Sequence, residues 1–170
     1  NTVESDLSNN HEQSNTTLEA QLITELNFLL RENQEVANTS DLRSQASQLL
    51  ISGIQVSDVV NTLFSNIIRT NRDEYLAVQY ITSNGVIFNE VTNERGIPHV
   101  SGATSIPRSE PAVIQSTAFK NALQSTSPDD YYLSDFTLTL DNLGQPVNPL
   151  QATFSVYVPV FDLVNPRAPL

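Results

Sequence analysis

The sequence predicts an α+β chain in which helices come first and an antiparallel sheet follows. Three observations carry that expectation. Apolar side chains recur at helical spacing through the first part of the chain. From Tyr75 the period shortens from about 3.6 residues to about 2. Finally, two pairs of β-type runs, one from Tyr75 to Val91 and one from Tyr131 to Asp162, are each split by turn residues.

Residues 1–15 are polar and aperiodic, so a frayed or disordered lead-in is expected there, with a single domain over residues 16–170. Thr16 or Thr17 can cap a first helix, Glu19 suits its first turn, and Leu18, Leu22, Leu26, Leu29 and Leu30 share a face. Ser40 or Asp41 can cap a second helix carrying Leu42, Ala46, Leu49 and Leu50 and ending near Gly53. Ser57 and Asp58 open a third, whose stripe is Val59, Val60, Leu63, Phe64, Ile67 and Ile68.

A strand begins at Tyr75, with Leu76, Val78 and Tyr80 on one face and Ala77, Gln79 and Ile81 on the other. Ser83-Asn84-Gly85 supplies an Asn-Gly turn, and Val86–Val91 reads as the returning strand. Thr92–Pro111 carries Gly, Pro and Ser without periodicity and reads as a long loop, a common place for binding residues. A short helix from Ala112 to Gln124 packs Val113, Ile114, Phe119 and Leu123. In Tyr131–Asp162, Leu133, Phe136, Leu138 and Leu140 fit a strand with one buried face. Phe154, Val156, Val158 and Val160 alternate with Ser155, Tyr157, Pro159 and Phe161. Asp141–Gly144 turns the chain, while Pro146 and Pro149 stay out of the ladder, so the connection exceeds the two-residue minimum.

The 170 residues, 39% apolar, suffice for one core. A net charge of −11 and a pI near 4.3 argue against nucleic acid and anionic membrane surfaces, which reward clustered Lys and Arg. Without Cys there is no disulfide and no thiolate metal or redox site. The abundance of Asn, Gln, Ser and Thr resembles the surfaces of exported bacterial domains. A chain that begins at Asn1, has no Met and lacks an apolar run of about 18 residues reads as a fragment of a larger protein; were that parent a membrane receptor, its spanning helices would lie outside this chain on both sides.

Chemistry is sparse. His11 and His99 lie far apart, and no HExxH, Walker, GxGxxG or EF-hand spacing occurs, so neither metal nor cofactor nor enzymatic activity is expected. Asp129-Asp130 follows Pro128 in a turn, where adjacent carboxylates diverge instead of converging across a cleft. Glu94 and Arg95 form a surface pair or contact an acidic ligand. Tyr80, Phe88, Tyr131, Tyr132 and Tyr157 combine apolar area with polar tips, and two or three of them meeting beneath the 92–111 loop would make a small-molecule pocket.

The segment Tyr75–Gly85, YLAVQYITSNG, resembles the hairpin that opens the PAS-like sheet of extracellular Cache (PDC) sensor domains. Tyr131–Asp135 with Pro149 and Val158–Asp162 is similar to that family's central strand pair, and Ala118–Ala122 to its aromatic helix. The similarity covers most of residues 18–162. It implies a long N-terminal helix packed on an antiparallel sheet, with the final strand after Asp162 cut short. It further implies an extracytoplasmic input domain of a membrane-anchored histidine kinase, chemoreceptor or cyclic-dinucleotide enzyme, binding a small molecule and passing the signal through the N-terminal helix, which can also form a homodimer. Strand phase and family position together nominate Tyr80, Phe88, Arg95, Phe119, Tyr132, Ser134 and Tyr157 as ligand-binding residues. Ser116-Thr117-Ala118 stands where related carboxylate sensors place an Arg, so the resemblance carries an architecture and not an amino-acid site. The alternatives are a dimerisation or structural module of a surface protein and, third, a secreted hydrolase.

Overall fold

Gly53 is the first glycine of the chain and Pro98 the first proline, so nothing in the N-terminal sequence breaks a helix. The computed structural model describes residues 2–52, 58–101, 108–140, 143–147, 151–162 and 169, and it opens on one helix, α1 (Thr2–Ala37). The expected start at Thr16 or Thr17 gives way to helical backbone from Thr2, so residues 2–15, expected as part of a frayed lead-in, are helical. Lack of an apolar stripe argues against burial, not against helix, and Thr16 and Thr17 are tolerated inside one.

By compactness the chain divides into residues 1–33 and residues 34–170. The first unit is helix alone. Thr24 and Asn33 bond back to the carbonyls of Ala20 and Leu29, and Leu22, Ile23 and Phe28 are exposed.

In the second unit, α2 (Ser40–Ser52) begins behind Thr39, whose hydroxyl donates to the Val36 carbonyl at 2.8 Å and accepts from the Leu42 N–H at 3.3 Å. Thr39 is therefore the cap in place of Ser40 or Asp41, and Asp41 is left in the first turn, where its charge suits the helix dipole. From α3 (Asp58–Thr70), Val60, Phe64, Ile67 and Ile68 are buried and meet Leu42 and Ala46 of α2. Val59, expected in that stripe, is exposed. The proposed cap Ser57, the stop at Gly53 and the side chains of Leu49 and Leu50 lie outside the described residues.

The sheet side of this core is β1 (Ala77–Ile81) and β2 (Val86–Glu94), paired antiparallel with Val78 opposite Val91 and Tyr80 opposite Asn89. Tyr80 and Val91 pack against Phe64 and Ile68, burial that contributes roughly 1.5–3 kcal/mol per large side chain. Thr82 and Val86 close the expected turn over Ser83-Asn84-Gly85, with Gly85 at φ 78°. Leu76 precedes the ladder and is exposed.

The stretch 92–111 is not one long loop. β2 runs on to Glu94, Arg95 and Gly96 turn the chain at φ 56° and 82°, and β3 (Ile97–Val100) returns along β2. β4 (Arg108–Ser109) then pairs with Val86 and Ile87 of β2, while residues 102–107 lie outside the described residues. Pro98 hides β3 from a periodicity reading; it is tolerated because an edge strand has one side free of ladder bonds. Asn93 holds this corner, accepting from the Gly96 N–H at 2.7 Å and donating to the carbonyls of Arg72 and Tyr75.

The helix expected over Ala112–Gln124 is two, α4 (Pro111–Gln115) and α5 (Thr117–Leu123). Ser116 leaves helical geometry at ψ 131°, and its hydroxyl accepts from the Phe119 N–H at 3.4 Å to cap α5. The C-terminal hairpin forms in two short ladders, β5 (Tyr132–Leu133) with β8 (Val156–Tyr157) inside the expected second run, and β6 (Thr137–Leu138) with β7 (Ala152–Thr153) ahead of it. At the break the Ser134 hydroxyl takes the Ser155 N–H at 2.8 Å, a side chain standing in for a ladder carbonyl. The expected buried face of the first run is not buried: Leu133, Phe136, Leu138 and Leu140 are all exposed, Phe136 at 71%. The burial lies instead at Pro159 and Phe161. Residues 163–168, where a final strand was expected, lie outside the described residues, although Phe161 bridges to Pro169. Among the described residues no helix is long and apolar enough to cross a membrane.

Gly85→Ala and Gly144→Ala separate two costs. Both positions have positive φ, at 78° and 73°, but a Cβ at Gly85 would meet Ile114 Cγ1 at 2.3 Å whereas one at Gly144 meets nothing within 4 Å. Urea unfolding should show a loss of about 3 kcal/mol for the first and about 1 kcal/mol for the second. Equal losses would contradict the packing of α4 on the β1–β2 turn.

Candidate functional site

Two short helices and one broken hairpin place the aromatic residues. Capping by Ser116 turns α5 so that Phe119 is buried, and the Phe119 and Tyr157 rings meet edge to face with centroids 5.9 Å apart. Tyr157 of β8 lies opposite Tyr132 of β5, and Ser134 follows Tyr132 on the same side of the strand. Phe119, Tyr132, Ser134 and Tyr157 are thus brought together, the last three half-buried.

A carboxylate sits at the foot of this cluster. The Ser125 hydroxyl donates to Asp130 Oδ2 at 2.6 Å and the Tyr132 hydroxyl to the same oxygen at 3.4 Å. Ser125 Oγ also accepts from the Ser127 N–H at 3.2 Å, and the Ser127 hydroxyl accepts from the Asp129 N–H at 3.2 Å. The aspartate pair therefore serves the turn, as its adjacency suggested. Ser125 and Asp130 were missed as neighbours of the site. The spacing Ser125-x-Ser127 ahead of Pro128, a hydroxyl turn before a strand, was the available clue.

The other nominated residues go elsewhere. Arg95 is exposed at the tip of the β2–β3 turn. Phe88 is partly buried against the main core. Tyr80 is 4% exposed within that core, and its hydroxyl has no hydrogen-bond partner among the described residues. Burial pushes its pKa up to about 12, so it stays a neutral phenol throughout the physiological range.

Chemically, the cluster offers ring faces, two phenol tips and a hydrogen-bonded carboxylate, while the Ser134 hydroxyl donates to the Asp135 carbonyl at 3.0 Å and accepts from the Ser155 N–H at 2.8 Å. That set suits a small ligand with an apolar body and a polar or cationic end. Among the described residues no group of three or more His, Asp or Glu could hold a metal.

Two solved structures share the fold. A domain of a sensory box/GGDEF family protein from Vibrio parahaemolyticus superposes at a TM-score of 0.58 and 18% identity, covering 94% of this chain and 55% of that one. The extracellular domain of a histidine kinase superposes at 0.56, also with 18% identity, covering 93% and 52%. The chain thus spans about half the length of the structures it matches. No family model and no curated protein matches the sequence. The architecture expected from the Cache resemblance, helices on an antiparallel sheet as in sensor domains, is borne out as a fold.

Tyr80 gives a test that separates core from site. Its folded pKa of about 12 lies above the unfolded value of 10.0, so the folded state holds the proton more tightly. Its contribution is complete below pH 10 and is lost as pH rises through 12. Tyr80→Phe removes an unpaired buried hydroxyl and should leave stability at pH 7 unchanged or raised by up to about 1 kcal/mol. It should also flatten the alkaline fall in a pH series of melting temperatures, and a loss at pH 7 would show that the hydroxyl has a partner.

Proposed function

We propose that the chain is the extracytoplasmic sensing domain of a membrane-anchored receptor, of the histidine kinase, chemoreceptor or cyclic-dinucleotide class, and is not itself an enzyme. A small molecule binds at Phe119, Tyr132, Ser134 and Tyr157, and α1 carries the response. The likeness of fold to two receptor domains supports the class, and one observation supports the mechanism. At the end of α1, Gln34 Nε2 donates to the Asp129 carbonyl, and in the α1–α2 corner Asn38 Nδ2 donates to the Pro128 carbonyl at 3.1 Å. That turn runs directly into Tyr132. A ligand that favours one position of Tyr132 therefore favours one position of the turn, and the two amides pass the preference to a helix continuous from Thr2 to Ala37.

A second reading has its own observation. Leu22, Ile23 and Phe28 stand exposed on α1, and exposed apolar side chains on a helix gain from pairing with a second copy. Homodimerisation through α1 is compatible with sensing, and by itself it would make the chain a structural or dimerisation module.

A thermal-shift screen with small amines, carboxylates and sugars should find a compound that raises the melting temperature, an effect abolished by Tyr157→Ala. In a chimera with a kinase output, Gln34→Ala with Asn38→Ala should retain ligand binding and lose the response. If no compound shifts the melting temperature while sedimentation shows a dimer abolished by Leu22→Glu, the module reading holds and the sensing one does not.

A further inference from the structure

The aromatic cluster leaves one side of α3 without a role. Asp58, Asn61, Thr62, Ser65 and Arg69 fall on one side of that helix and, with Val100 at the end of β3, line a groove of about 400 Å³. That volume is in the range of small-ligand sites.

Two of the lining side chains are more than nine-tenths buried and keep unused hydrogen-bonding capacity. Ser65 is 7% exposed, and its hydroxyl bonds to no described residue. Asn61, 6% exposed, accepts from Asn89 Nδ2 at 3.0 Å, while its own amide donates to no described residue. Buried polar groups are ordinarily satisfied, and these two open onto the groove. The charges at its ends differ in sign. Asp58 and Arg69 are eleven residues apart on the helix, about 16 Å at the helical rise. Among the described strands β3 pairs only with β2, and the ladder phase set by the Ser101 N–H bond to the Glu90 carbonyl turns the Val100 N–H and C=O and the Pro98 carbonyl to its outer edge.

We infer that this groove binds a short extended peptide with free termini. Its ammonium group meets Asp58, its carboxylate meets the Arg69 guanidinium, and its amides meet Asn61, Ser65 and the edge of β3. At about 3.4 Å per extended residue, the span between the two charges takes four or five residues. No residue of the aromatic cluster takes part, so this site stands or falls independently of the one proposed above.

The probe is pentaalanine with free ends, titrated into the isotope-labelled chain. It should shift the Asn61 side-chain amide and the Val100 backbone amide, with N-acetylation and C-amidation each weakening binding about fivefold. Asp58→Asn should erase the acetylation effect alone and Arg69→Gln the amidation effect alone; both residues are exposed, so the fold is kept. Tyr157→Ala should leave the titration unchanged. The inference is overturned if pentaalanine moves neither resonance, if capping makes no difference, or if free alanine or maltotriose shifts both resonances as strongly.

Discussion

Everything else in residues 34–170 is arranged around the contact of α3 with β1 and β2. Phe64, Ile67 and Ile68 on one side and Tyr80 and Val91 on the other form the buried cluster, and Leu42 and Ala46 bring α2 onto it. Ala46 is 1% exposed, and its small side chain allows the two helices to approach closely. Hydrophobic contact alone would let α3 slide along the sheet. The Asn61–Asn89 hydrogen bond, buried at the border of this cluster, admits one register, since a shift by a turn would bury two amides without partners. The same bond sets where the polar stripe of α3 lies.

The C-terminal hairpin depends on that core without being part of it. Its first run exposes Phe136, Leu138 and Leu140, so it buries too little to hold itself in place. It is tied by directed bonds. Arg43 of α2 donates from Nε to the Phe161 carbonyl and from its terminal nitrogen to that of Asp162, each at 2.9 Å, a fork that Lys could not reproduce. Gln34 and Asn38 hold the opposite end at residues 128 and 129. An element held by a few polar bonds at its ends is cheaper to move than one packed into a core, which is what a responsive element requires.

Legibility in the sequence follows the same division. α2, α3 and the β1–β2 hairpin were readable because apolar periodicity and an Asn-Gly turn are local signals and the core they form is local too. β3 was not, because Pro98 argues against a strand and Arg95 is an uncommon residue at φ 56°. The break at Ser116 was hidden because a serine inside a helical pattern looks like a solvated position until its hydroxyl is seen to cap the next helix. In Tyr131–Asp162 the alternation gave the strands, but a period of two does not say which face meets a partner. Of the seven nominated residues, Phe119, Tyr132, Ser134 and Tyr157 come together because pairing of the hairpin fixes three of them and the α5 cap the fourth. Tyr80, Phe88 and Arg95 separate from them because strand phase carries no information about which helix covers which face.

The distribution of polar groups bears on how such a fold could respond. A buried network that is fully satisfied is rigid, and the Asn93 corner, with its three bonds, is of that kind. The turn below Tyr132 differs. Asp130 is bonded by two hydroxyls, one at 2.6 Å and the other at 3.4 Å, so the second is easily exchanged for a ligand or for water. Exchange there frees Tyr132 without breaking the Ser125 bond that shapes the turn. In the proposed sensing reading the turn would then shift as a unit, and Gln34 and Asn38, which bind its carbonyls and not its side chains, would follow its backbone. In that reading, coupling through carbonyls would separate what is recognised from what is transmitted, so that residues at the cluster could change with the ligand while the linkage to α1 stayed the same.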